Sequence, residues 1–102
     1  MVSIIEDNQS QLQSLCRKFH VRRLDVFGSA ATGQTTETSD LDFLVEFDEL
    51  VNPNRFDNFF AFKEALKELF NKPIDLVEPG GLRNPYFIRR VEQTRRQVYA
   101  AS

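Results

Sequence analysis

Histidine and cysteine each occur once in the 102 residues, and tryptophan not at all. A single cysteine excludes an internal disulfide. Cys16 falls in an apolar helical stripe, where it reads as a small core residue. A single histidine excludes a metal site built on paired imidazoles. His20, between a helix and a strand, suits a capping or surface role. No apolar run approaches the roughly 18 residues that a membrane-spanning helix requires, and the N-terminus lacks a signal-peptide pattern. These absences predict a cytoplasmic chain without membrane contact. A net charge of −2 argues against direct nucleic-acid binding, which favours basic chains. With ten phenylalanines and no tryptophan, the core is expected to be filled by Phe and Leu.

The length predicts one domain, residues 1–102, with a modest core. The charge is unevenly spread. Glu37, Asp40, Asp42, Glu46, Asp48 and Glu49 form a stretch with no Lys or Arg. From Arg83 onward there are five arginines and one acid, Glu92. Such segregation fits solvated faces, or a cation site in the middle with an anion- or partner-facing end.

Periodicity predicts a helix from Ser3 to about Phe19. Ser3 and Glu6 have capping-box spacing, and Leu12, Leu15, Cys16 and Phe19 share one face. Val21 to Phe27 reads as a strand stopped by Gly28. Ser29 to Gly33 allows one helical turn, and Gln34 to Ser39 a polar loop. Leu41 to Phe47 is a second strand. Asn54 caps a helix from Arg55 to Asn71, on which Phe56, Phe59, Phe60, Leu66, Leu69 and Phe70 keep the period. Ile74 to Val77 is a short third strand. A last helix spans Tyr86 to Arg95, with Phe87, Ile88 and Val91 inward, before a short apolar tail from Val98 to Ala101. Helices alternating with strands predict a small α/β domain, a central sheet covered by helices. The pattern leaves open whether the sheet is antiparallel or mixed.

The chemistry concentrates in Val26–Phe47, VFGSAATGQTTETSDLDFLVEF. Asp40 and Asp42 are i and i+2, so in a strand they point to one face. Two such carboxylates repel unless a cation lies between them, and oxygen ligands of this kind suit Mg²⁺. Asp75, an acid inside the apolar run Ile74 to Val77, joins them if the two strands are neighbours. Three carboxylates can hold two metal ions of the kind used in phosphoryl or nucleotidyl transfer. Gly28-Ser29 supplies a turn whose backbone can approach a phosphate closely. Alone, a Gly-Ser turn or an Asp-x-Asp pair is commonplace; it is the combination that is informative.

Gly28-Ser29, ten residues, then Asp40-Leu41-Asp42 resembles the GSx₁₀DxD signature of the DNA polymerase beta-like nucleotidyltransferases. Asp75 in KPIDLVEP resembles the third metal carboxylate of that superfamily. The length, the leading helix before LDVFGS and the ending LRNPYFIRRVEQTRRQVYA resemble the minimal, MntA-like antitoxins. The resemblance implies a small nucleotidyltransferase fold with a mixed sheet, without the domains that larger relatives use for DNA or antibiotics. It implies an antitoxin that moves AMP from ATP to a tyrosine hydroxyl of a HEPN-family ribonuclease toxin, releasing pyrophosphate. Asp40 and Asp42 would then hold two Mg²⁺ ions and the triphosphate. Asp75 would bind the second ion and help deprotonate the hydroxyl, and Gly28 and Ser29 would grip the β and γ phosphates. One position departs from the pattern. Many relatives carry a basic residue just before the glycine at position 33, where this chain has Thr32; one of the C-terminal arginines could compensate.

Two rival functions follow from other readings of the same residues. A non-catalytic antitoxin would neutralise its toxin by contact alone, though a pure binder has no need of three converging acids. Transfer to a small molecule would need chain length for a second domain. Tyr86 and Tyr99 read as buried or half-buried structural residues, with self-modification as the alternative. Phe56, Phe59, Phe60 and Phe62 read as core; because four phenylalanines within seven residues exceed one stripe, the alternative is an exposed Phe62 that belongs to a partner surface. The pairs Arg89/Arg90 and Arg95/Arg96 are either a solvated face or contacts to phosphate or an acidic partner.

Overall fold

The computed structural model describes residues 3–28, 40–48, 55–81 and 83–101. The predicted turn and loop at residues 29–39 and the predicted cap Asn54 lie outside the described residues, as does the side chain of Ser3. The elements are α1 (Ser3–Asp7), α2 (Gln9–Lys18), β1 (Val21–Phe27), β2 (Leu41–Phe47), α3 (Arg55–Phe70), β3 (Ile74–Val77), a 3₁₀ turn (Pro79–Gly81), α4 (Pro85–Thr94) and β4 (Arg96–Ala100). None of the described helices is long and apolar enough to cross a membrane.

The described strands form one mixed sheet in the order β3-β2-β1-β4. β1 runs antiparallel to both β2 and β4, whereas β2 and β3 are parallel. The helix α3 provides the crossover that a parallel pair requires. Alternation along the strands then divides the side chains between two faces. Leu24 and Val26 of β1, Leu41, Phe43, Val45 and Phe47 of β2, and Ile74 and Leu76 of β3 enter the main core with Ile5, Leu12, Cys16, Phe62 and Leu66. The opposite face carries Phe27 and Leu44, covered by Val91 of α4 with Phe87 at the margin. Asp42 and Asp75, even and odd in number but matched in register, belong to this second face.

Five expectations need correction. The first helix is not continuous: it breaks at Asn8, whose side-chain amide donates to the Ile4 carbonyl at 2.8 Å and so competes with helical pairing. Of the phenylalanines read as core on α3, Phe62 is core, which rules out its surface alternative, whereas Phe56 and Phe60 are not. Phe62 is fully buried against Phe19 and Phe47, with ring centroids 5.6 and 5.9 Å away, while Phe56 is 77% exposed and Phe60 49%. The buried stripe of α3 runs through Phe62, Leu66 and Phe70, four residues apart, which turns the Phe56–Phe60 pair outward. Ile88 lies at the solvent margin of α4, and Tyr86 is 82% exposed, because only Val91 of that helix is fully covered. The apolar tail is part of β4, an edge strand whose sole buried residue is Val98; polar edges of this kind hide a strand from pattern reading.

Candidate active site

β1 ends where Gly28 turns the chain with φ +71°, a left-handed conformation that glycine adopts without steric cost. The amide of Gly28 donates to the Thr94 hydroxyl at 2.9 Å, and that hydroxyl donates to the Arg90 carbonyl at 2.7 Å. One threonine thus ties the glycine turn to the last turn of α4. A Cβ at position 28 would come within 2.8 Å of Asp42 Oδ2 and 3.4 Å of Arg90 Nη2. The missing side chain leaves the space into which both the carboxylate and the guanidinium reach.

Asp42 pairs with Phe27 across the antiparallel ladder and with Asp75 across the parallel one. The condition under which Asp75 joins the Asp-x-Asp pair is therefore met: β2 and β3 are neighbours. Asp42 is half-buried, Asp75 exposed, and Asp40 is exposed immediately before β2. Burial raises the Asp42 carboxyl to about 6, with Asp75 and Asp40 adding to the rise and Arg90 opposing it. A carboxylate disfavoured by burial and by two acids is a donor that a hard divalent cation relieves. The residues present therefore fit Mg²⁺. The acids lie at the N-terminal ends of β2 and β3. Among the described residues, no group of three His, Cys, Asp or Glu side chains is placed to hold a metal ion. Ser29 and Thr32 lie outside the described residues.

The structure separates the C-terminal arginines, which the sequence presented as equivalent pairs. Arg90 reaches the Gly28–Asp42 space. Arg95 instead binds Asp25 of β1, with Nε and Nη2 at 2.7 and 2.5 Å from Oδ2, and contacts Glu92 at 3.2 Å. Arg23 holds the other oxygen of Asp25 at 3.1 Å. Asp25 is fully buried, so these guanidiniums supply the pairing that a buried charge needs. Sequence reading passed over Asp25 and Thr94. An acid enclosed by Leu24 and Val26 was the available signal for Asp25. Thr94 had none, because its partner is distant in sequence.

A family model described as a nucleotidyltransferase domain matches residues 9–98. The chain belongs to the nucleotidyltransferase family. This nucleotidyltransferase is 37% identical over 79 residues to a candidate protein adenylyltransferase of Methanocaldococcus jannaschii, spanning 78% of each chain. It is 33% identical over 82 residues to the protein adenylyltransferase MntA of Thermococcus cleftensis, spanning 80% of this chain and 77% of that one. Among solved structures it resembles a candidate minimal nucleotidyltransferase, with a TM-score of 0.72, 32% identity and 89% of each chain covered. It also shares the fold of a chain in the complex of a tri-AMPylated Shewanella oneidensis HEPN toxin with its MNT antitoxin. There the TM-score is 0.61 at 16% identity, over 95% of this chain and 73% of that one. The expected minimal nucleotidyltransferase fold is thus the observed one, and the mixed sheet is its framework.

Proposed function

We propose that this nucleotidyltransferase is an antitoxin that transfers AMP from ATP to a tyrosine hydroxyl of a HEPN-family ribonuclease toxin. In this reading the domain, residues 1–102, works in the cytoplasm as a hetero-oligomer with its toxin, without direct contact to nucleic acid or membrane. The observation that carries the reading is the register of Asp42 with Asp75 beside the glycine turn. It joins an acidic strand pair to a close-approach turn on the sheet face that Val91 of α4 packs on. The names of the relatives and the AMPylated toxin in the complex of like fold support the substrate class.

The chemistry is a displacement at the α-phosphorus. The tyrosine oxygen forms a bond to it, the bond to the bridging oxygen breaks, and pyrophosphate leaves. Asp75, exposed at the edge of the site, accepts the hydroxyl proton as general base. Asp40, Asp42 and Asp75 would hold two Mg²⁺ ions, which when bound supply charge neutralisation for the attacking and leaving oxygens. Gly28 contributes space rather than a side chain, and its amide is engaged by Thr94. Ser29 follows it and would bind the terminal phosphates.

Parallel incubations of toxin, nucleotidyltransferase and Mg²⁺ with ATP labelled at the α or the γ phosphate test the reading. Adenylyl transfer places the α label, and not the γ label, on the toxin. A γ-labelled toxin would mean kinase chemistry. Neutralisation with neither label incorporated, unchanged in Asp40→Asn/Asp42→Asn, would mean that the antitoxin acts by contact.

A further inference from the structure

We infer that Arg90 is the side chain that grips the terminal phosphates of the incoming nucleotide, filling the role left open by the neutral Thr32. The inference rests on the nucleotide-transfer reading above and adds a residue to it.

Position 90 is fixed relative to the glycine turn by two independent features. Val91, its neighbour, is fully buried against Phe27 and Leu44, which sets the rotation of α4 on the sheet. The Thr94 hydroxyl bridges the Gly28 amide and the Arg90 carbonyl, which sets its height. From that anchored backbone the guanidinium reaches the space that Gly28 keeps empty, with Nη2 3.4 Å from where a Cβ would lie. Asp42 Oδ2 reaches the same space at 2.8 Å. A phosphate approaching the mouth of that space would meet the Asp42 carboxylate, of its own sign, and the Arg90 guanidinium, of the opposite sign. Arg90 is exposed, so it can follow the phosphate oxygens, and its planar fork matches them in a bidentate manner. Two of the other C-terminal arginines make different contacts. Arg95 is committed to Asp25 and Glu92, and Arg96 donates to the Arg95 carbonyl at 3.3 Å. Arg89 is an exposed residue of α4 one position round the helix, which makes it a matched control.

The test is binding of AMP-PNP and of AMP, each with Mg²⁺, to wild type, Arg90→Ala, Arg90→Lys and Arg89→Ala, with melting temperature as a second readout. Loss of one charge-assisted phosphate contact predicts about tenfold weaker AMP-PNP binding in Arg90→Ala. AMP binding should stay within about twofold, because AMP lacks the terminal phosphates. Arg90→Lys should recover part of the loss, and Arg89→Ala should match wild type. Equal weakening toward AMP and AMP-PNP, or unchanged AMP-PNP binding in Arg90→Ala, overturns the assignment while leaving nucleotide transfer standing. A melting temperature that falls together with affinity, with no recovery by lysine, also overturns it, since that is the signature of a structural residue. A wild-type protein that binds neither nucleotide overturns the nucleotide-transfer reading and this inference together.

Discussion

Replacing Asp42 by asparagine should stabilise the isolated protein. The folded environment raises this carboxyl from an ordinary value of 3.8 to about 6, through burial first and then the charges of Asp75 and Asp40. The raised value means that folding favours the protonated acid. The stabilisation is complete below pH 3.8 and is lost as pH rises through about 6. Above that the ionised carboxylate opposes folding. Unscreened, the rise corresponds to about 3 kcal/mol. Asp42 is only half-buried, so water and salt reduce this to about 1 kcal/mol. Asparagine keeps the shape and carries no charge. In EDTA at pH 7.5 the variant should therefore melt about 4–8 °C above wild type, and the difference should shrink toward zero near pH 4. Added Mg²⁺ should raise the wild-type melting temperature and leave the variant nearly unchanged, by linkage to a site that only the wild type has. Thermal unfolding followed by circular dichroism from pH 4 to 8 gives the whole comparison. A variant less stable than wild type at every pH would refute the reasoning, since Asp42 would then be making a net favourable interaction in the folded state.

Gly28→Ala places a Cβ on a left-handed residue, 2.8 Å from Asp42 Oδ2. It should cost about 1–2 kcal/mol in urea unfolding and reduce transfer far more than stability, because the carboxylate is what moves aside. Arg95→Ala leaves the fully buried Asp25 with the Arg23 guanidinium as its one ion-pair partner among the described residues, so a loss of about 3–5 kcal/mol is expected; a denaturation midpoint within error of wild type would contradict the pairing. Burial pushes the Cys16 thiol up to about 12, so iodoacetamide at pH 8 should modify it only after unfolding. Labelling of the native protein at the rate of a free thiol would contradict its place in the core.

The legible part of the site was the part written locally. Asp40 and Asp42 announce themselves by i, i+2 spacing at the start of an apolar strand, and Asp75 by being the one acid in Ile74–Val77. Their meeting required only that β2 and β3 be neighbours, which the helix between them makes natural for a parallel pair. The Gly28 turn was legible for the same reason, since a glycine ends the first apolar run. What the sequence hid was the contribution of α4. Arg90 and Arg95 are chemically identical, and only the packing of Val91 on Phe27 and Leu44 decides that one faces the glycine turn and the other Asp25. Thr94 acts on Gly28 across 66 positions, a distance at which no local pattern operates. Phe56 and Phe60 were misplaced in the core because four phenylalanines in seven positions of α3 offer more than one apolar stripe. The choice between stripes is made by Phe19 and Phe47, residues of other elements.

The most direct measurement is the intact mass of the proposed toxin partner, of the HEPN family in this reading, after incubation with this nucleotidyltransferase, ATP and Mg²⁺, beside an Asp40→Asn/Asp42→Asn control. Protein adenylylation predicts mass gains in whole adenylyl units on a tyrosine, absent in the control. An unmodified toxin held in a stable complex by both versions would contradict it and leave binding as the mode of neutralisation.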